Sequence, residues 1–125
     1  MYKRQDYNTK DGTFVRDYIH IDDIISAFIL IIDRKVWHEG FEIYNLGTNV
    51  GLTVKEIIDK SLPLLKQNFA FVSKLVETSR RGGDLHSTVS DASKARGILN
   101  WTPIKSIEEI ITDTIVSYKS KNGSN

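Results

Sequence analysis

FVRDYIHIDDI, residues Phe14–Ile24, carries a short alternating segment straight into an apolar helix, and the reading of the chain turns on that junction. The loose alternation of Phe14–Ile21 suits an extended segment, because successive side chains of a strand point to opposite faces. From Asp22 the pattern becomes helical, and a helix is expected over about Asp22–Arg34. Asp22 and Asp23 stand where carboxylates meet the free N–H groups of a first turn. Polar residues between a strand and a helix are the bland reading of this junction. In the sharper reading it is a ligand edge. Arg16 then presents its planar fork of donors to a phosphate, and Tyr18 packs behind it.

The expected helix is unusual. Ile24, Ile25, Ala27, Phe28, Ile29, Leu30, Ile31 and Ile32 leave it almost no polar face, and a helix apolar all round is buried on more than one side. A chain of 125 residues has room for one modest core, so this helix points to a neighbouring layer that the chain does not supply.

Outward from the junction, the pattern is α/β with few strands. Met1–Gln5 lack apolar periodicity and read as an unmatched start. Gly12 of DGT supplies the positive φ of a turn. FEIYNLG (Phe41–Gly47) reads as a strand ending in a glycine turn. Thr53 and Glu56 form a capping box that opens a helix with Val54, Ile57, Ile58, Leu62 and Leu65 on one stripe; Pro63 should kink it or end it early. FAFVS (Phe69–Ser73) reads as a second strand and RRGGD (Arg80–Asp84) as a loop. A short capped helix runs from Asp91 toward Trp101, with Pro103 as its stop. Ser106 and Glu109 form another capping box, for a helix burying Ile107, Ile110, Ile111, Ile115 and Tyr118. One compact unit over residues 6–119 with a frayed tail at 120–125 is the expected organisation.

Seventeen basic and sixteen acidic side chains give a net charge of +1, too weak a field to gather nucleic acid. The absence of cysteine excludes disulfides, thiolate nucleophiles and cysteine-zinc sites. AFILII is far short of the ~20 residues that span a bilayer, and the N-terminus lacks the apolar core of a signal peptide. A soluble, cytoplasmic chain with no membrane partner is expected.

Arg16 and Arg80–Arg81 lead the candidate ligand groups. SRRGGDL (Ser79–Leu85) combines guanidinium groups, glycines that let backbone approach a ligand, and Asp84 as an acceptor for hydroxyls. By local sequence alone it reads as a solvated turn. His20 reads as a packed or hydrogen-bonded histidine, since no second ligand stands at metal spacing. Trp37 and Trp101 read as core or edge plugs. No G-x-G-x-x-G is present, no tyrosine has a lysine four residues on, and no P-loop or nucleophile elbow occurs, so no catalytic residue and no dinucleotide site is expected here.

Three blocks carry a resemblance. DYNTKDGTFVRDYIHIDD, IYNLGTNVGLTVKEII and RRGGDL…SDASKARGILNW closely resemble, in order and spacing, blocks of the UDP-glucose 4-epimerases, members of the extended short-chain dehydrogenases. The resemblance implies the C-terminal, substrate-binding portion of that α/β fold, with few strands, about four helices and no Rossmann half. It implies that Arg16 and Arg81 contact the diphosphate, Asp84 the ribose hydroxyls, and Val50 the nucleotide pocket. Tyr18 would lie beside the phosphate arginine, and Thr88 would occupy the position that tunes sugar size. A small residue there leaves room for an N-acetyl group. Two positions depart from the family pattern: Asn49 replaces a glycine, and Gly82 replaces an acid.

The resemblance further implies NAD, held by an opening half that also carries the Tyr-x-x-x-Lys, with UDP-glucose and UDP-galactose as partners and a homodimer formed through that half. The 125 residues alone would then be an inactive fragment. Another nucleotide-sugar epimerase or dehydratase, or a non-catalytic nucleotide-sugar module, are the alternatives.

Overall fold

The computed structural model describes residues 2–3, 7–33, 41–70, 74–78 and 83–122. The alternating segment before the apolar helix becomes strand β2, Val15–Asp17, the centre of a three-stranded sheet. On one side it pairs antiparallel with β3 (Gly51–Thr53), with Val15, Arg16 and Asp17 opposite Thr53, Leu52 and Gly51. On the other it pairs parallel with Ser87–Thr88, which sets Arg16 opposite Thr88. A separate parallel pair joins β1 (Tyr2–Lys3), within the stretch set apart above, to β4 (Glu77–Thr78). Ser87–Thr88 is therefore β5.

Four helices complete the chain: α1 (Ile21–Asp33), α2 (Val54–Asn68), α3 (Ser93–Leu99) and α4 (Ile107–Asn122). Trp101 is the centre of the main core, 1% exposed, and Ala27 of α1 with Ala92, Ala95 and Leu99 of the α3 region close around it. Three alanines at this contact let backbone approach the indole closely, and Ile19, Ile31, Tyr44 and Leu46 cover the rim. Trp101 donates its Nε1–H to the carbonyl of Asp23 (2.9 Å) and to Ser26 Oγ (2.9 Å), so the polar edge of the ring is satisfied inside the core.

Several expectations need correction. Asp23 does not cap α1. It is 2% exposed, and its carboxylate accepts the N–H groups of Ile104 (3.0 Å) and Lys105 (3.2 Å), tying α1 to the loop before α4. His20 takes the capping role, its Nδ1 accepting the Asp22 N–H at 3.0 Å. Residues 41–47 form no strand, because a strand exists by its ladder and this segment has no ladder partner among the described residues. Pro63 does not end α2, which continues to Asn68. A proline removes one intrahelical donor, and at an exposed site the bonds around it, including Phe69 N–H to Leu65 O at 2.9 Å, sustain the helix.

Tyr118 is 59% exposed instead of buried and meets Phe69 edge-on at 5.8 Å. α4 reaches Asn122, beyond the expected boundary at 119. Of the expected second strand, Phe69 is the C-cap of α2 and 71–73 lie outside the described residues, as does Trp37. The apolar character of α1 is carried through: Ile21, Ile25, Phe28, Ile29 and Ile32 are each more than two-fifths exposed among the described residues.

Both capping boxes form. Thr53 Oγ1 accepts the Glu56 N–H at 3.2 Å while Glu56 accepts the Thr53 N–H at 2.8 Å. Ser106 and Glu109 repeat the arrangement at 3.2 and 2.8 Å. The Ser106 N–H, then the Ser106 hydroxyl and Lys105, hold the Glu109 carboxyl at about 2, below its ordinary 4.5. Because the folded value is depressed, this contribution is whole above 4.5 and is lost as pH falls through about 2. A carbon-detected NMR titration of Glu109 is expected to show the low midpoint, with the first turn of α4 fraying over the same interval.

Candidate functional site

Arg16, Leu52 and Thr88 share one register position across β3, β2 and β5, and therefore one face of the sheet. Tyr18 and Val50 follow one step beyond the last antiparallel pair, Asp17 and Gly51. Asp84 lies three residues before β5, on the segment whose next residue, Leu85, turns its carbonyl toward Arg16. Arg16 and Thr88 thus sit on adjoining strands, Tyr18 and Val50 just beyond the paired ends of β2 and β3, and Asp84 on the loop before β5. Val50 is 58% exposed and Thr88 is exposed, so this edge is open. Arg81, the sixth, lies outside the described residues together with Arg80 and Gly82.

The Arg16 guanidinium is fixed from several sides. Its Nη1 donates to the carbonyls of Val15 (2.7 Å) and Leu85 (3.0 Å), and its Cζ stands 4.4 Å from the centroid of the Phe14 ring. Tyr7 meets Phe14 edge-on at 6.4 Å and donates its hydroxyl to the Asp84 carbonyl at 2.9 Å. The Tyr7–Phe14 pair thereby links the arginine to the loop bearing Asp84. Among the described hydrogen bonds of Arg16 only Nη1 is engaged, leaving the rest of the fork as donors toward an anion. Burial pushes the Tyr18 hydroxyl up from its ordinary value, against the opposing pull of the Arg16 charge, so it stays a protonated donor at neutral pH.

Sequence reasoning missed Asp17, Phe14, Tyr7 and the Leu85 carbonyl. Asp17 belongs to the arginine's own strand and Phe14 directly precedes it, and alternation offered a signal for them. Tyr7 meets Asp84 across 77 residues, and nothing local announces that contact. The departure at Asn49 has a structural account. Its φ is +63°, the left-handed region where asparagine is the best-tolerated replacement for glycine. Its Oδ1 accepts the Ala92 N–H at 3.1 Å at the start of α3, a bond glycine could not make.

His20 is buried, with Nε2 3.2 Å from the Asp113 carboxylate, as a packed and partnered histidine. Among the described residues no cluster of acids and histidines is arranged to hold a metal, and no helix is long and apolar enough to cross a membrane. A cavity of about 490 Å³ lies between α2 and α4, lined by Ile57, Leu62, Leu65, Phe69 and Tyr118 among others, and it includes none of the candidate ligand residues.

A three-stranded sheet, four helices and a fixed arginine on the central strand place the chain in the α/β class. A family model described as GDP-mannose 4,6 dehydratase matches residues 1–114, and the chain belongs to that family. Within it the similarity runs to UDP-glucose 4-epimerases. The enzyme of Pasteurella multocida (strain Pm70) is 39% identical over 109 residues, covering 87% of this chain and 31% of that one.

Two solved structures make the same comparison. UDP-glucose 4-epimerase from Bifidobacterium longum, in complex with NAD+ and UDP, superposes with a TM-score of 0.81 at 33% identity, over 97% of this chain and 34% of that one. The enzyme from Stenotrophomonas maltophila, with bound NAD and formylated UDP-arabinopyranose, gives 0.83 at 30%, over 98% and 35%. The chain spans about a third of the length of the curated relatives it matches. The fold is thus the expected part of an extended short-chain dehydrogenase.

The N-termini of α1, α2 and α4 do not fit a dinucleotide pyrophosphate. A pyrophosphate needs a glycine-rich turn into an open helix N-terminus. The β2–α1 junction instead carries His20 on the Asp22 N–H, the β3–α2 junction is closed by Thr53 and Glu56, and α4 by Ser106 and Glu109.

Proposed function

We propose that this chain is the UDP-sugar-anchoring portion of a UDP-glucose 4-epimerase, the enzyme that interconverts UDP-glucose and UDP-galactose. The observation that carries the reading is the fixed guanidinium of Arg16, held by the Leu85 carbonyl and set in register with exposed Thr88. A fork of donors restrained before the ligand arrives loses little freedom on gripping a phosphate. In this reading Arg81 supplies the second guanidinium, Asp84 accepts from the ribose, Val50 lines the nucleotide pocket, Tyr18 lies beside the phosphate arginine, and Thr88 faces the sugar with space for an N-acetyl group. Holding the non-reacting UDP lets the sugar present C4 for oxidation and re-reduction.

NAD, the proton-transferring tyrosine and the homodimer contacts are assigned to sequence outside these residues, and the site of action is the cytoplasm. The family model's name keeps a dehydratase as the second reading. The curated relatives at 34–41% identity carry the name UDP-glucose 4-epimerase and favour the first.

Calorimetric titration of the full chain with UDP tests the proposal. Weak binding is expected, on the order of millimolar, and Arg16→Ala should reduce it about tenfold or more, as for a hydrogen bond to a charged group. No turnover of UDP-galactose is expected without the remainder of the enzyme. No UDP binding at tens of millimolar, or equal binding by Arg16→Ala, would contradict the assignment.

A further inference from the structure

We propose that Asp17 is a positioning residue that sets the spacing between the three segments carrying the candidate ligand groups. The inference rests on the anchoring role given above to this edge. Asp17 stands between Arg16 and Tyr18, and by the alternation of a strand its side chain points to the opposite face from Arg16. There its carboxylate gathers donors from two other segments. Oδ1 accepts the Thr48 N–H at 3.0 Å and the Thr48 hydroxyl. Oδ2 accepts the Asn49 N–H at 3.2 Å and the Ser90 N–H at 3.2 Å. Three backbone donors and one hydroxyl occupy the acceptor sites that an ionised carboxylate offers.

The segments so joined are those that matter for the ligand edge. Thr48 and Asn49 precede Val50, and Ser90 follows Thr88 by two residues. Contact is close enough to exclude a side chain at Gly47, where a Cβ would lie 2.5 Å from Asp17 Oδ2 and 2.4 Å from Ser90 Cβ. Other bonds fasten the 47–50 turn to α3: Arg96 Nη2 donates to the Thr48 carbonyl at 3.1 Å, and Asn49 Oδ1 accepts from Ala92. Asp17 is thus where β2, the turn and the end of β5 meet. Its charge matters as well as its shape. In Asp17→Asn one carboxylate oxygen becomes an NH2 group facing N–H donors, and no orientation of the amide satisfies both sides.

The test is amide hydrogen exchange by NMR on the full chain, alongside a UDP titration. In Asp17→Asn, exchange at Thr48, Asn49 and Ser90 is expected to rise together by at least about tenfold, with α2 and α4 unaffected. UDP binding should weaken about tenfold, the loss of hydrogen bonds to a charged acceptor. Thr48→Ala removes the hydroxyl donor, and with it the acceptor of the Val50 N–H, but spares the carboxylate, so it serves if Asp17→Asn does not fold. Faster exchange at Asn49 and Ser90 as well as Thr48 is the supporting outcome. Independent responses of the three amides would overturn the proposal, as would unchanged UDP affinity in folded Asp17→Asn. Failure of the wild-type chain to take UDP counts against the functional reading, and the exchange result then decides on Asp17 alone.

Discussion

Replacing Trp101 with alanine is expected to remove the cooperative unfolding transition of this chain. The indole is 1% exposed and fills the contact between α1 and α3, with alanines on both sides that cannot expand into the space left behind. Truncating a buried tryptophan costs about 3–5 kcal/mol, against a total stability of about 5–15 kcal/mol for a whole domain. The core described here is small, and most of α1 faces outward, so the lower end of that range applies. Urea denaturation followed by circular dichroism checks it. Trp101→Phe keeps the ring but abandons the bonds to Asp23 and Ser26, and an intermediate loss of about 1–3 kcal/mol is expected. Equal midpoints for wild type and Trp101→Ala would mean that the indole does not organise the fold.

Asp23→Ala should be the next most damaging change. The carboxylate is buried and accepts the N–H groups of Ile104 and Lys105, so its removal orphans two donors in the loop that delivers α4. A hydrogen bond to a charged group contributes about 1.5–3 kcal/mol; Ile104 is exposed, so water takes up part of the loss, and roughly 2–4 kcal/mol is expected from the pair. Asp23→Asn should fall between, since one amide oxygen can serve one of the two N–H groups. Denaturant midpoints measure both. The neighbouring Asp22 is exposed, so Asp22→Ala is the control and should shift stability far less.

Asp22 and Asp23 also show what a sequence conceals. Both looked like helix caps, because two acids before an apolar run is the local signature of a cap. One of them is a buried tie to a loop 81 residues further on, and no local pattern distinguishes the two. The capping boxes at Thr53–Glu56 and Ser106–Glu109 were legible because their physics is complete within four residues. The strand read at 41–47 was not secure for the opposite reason. A strand is defined by a partner, and alternation without a ladder yields only an extended segment. Pro63 does not end the helix, because a helix of 15 residues absorbs the loss of one donor.

The candidate site divides in the same way. Arg16 and Asp84 were read as candidates from residue chemistry and Thr88 from motif resemblance, and register sets Thr88 beside Arg16. The supports beneath them, Tyr7 on the Asp84 carbonyl and Asp17 on Thr48, Asn49 and Ser90, join residues 31 to 77 positions apart. Those distances are set by topology, and the type of residue alone does not reveal them. The outward apolar face of α1 was legible in outline, since no arrangement of so many isoleucines around one helix leaves a polar side.

The functional reading depends on two guanidinium groups from separate segments meeting one diphosphate. The most direct measurement is the NMR response of arginine Nε–H signals in the full chain to UDP and, separately, to uridine. The signals of Arg16 and Arg81 are both expected to move with UDP, over one shared binding curve, and to stay in place with uridine, which lacks the phosphates. Movement of only one of them, or an equal response to uridine, would contradict the shared grip.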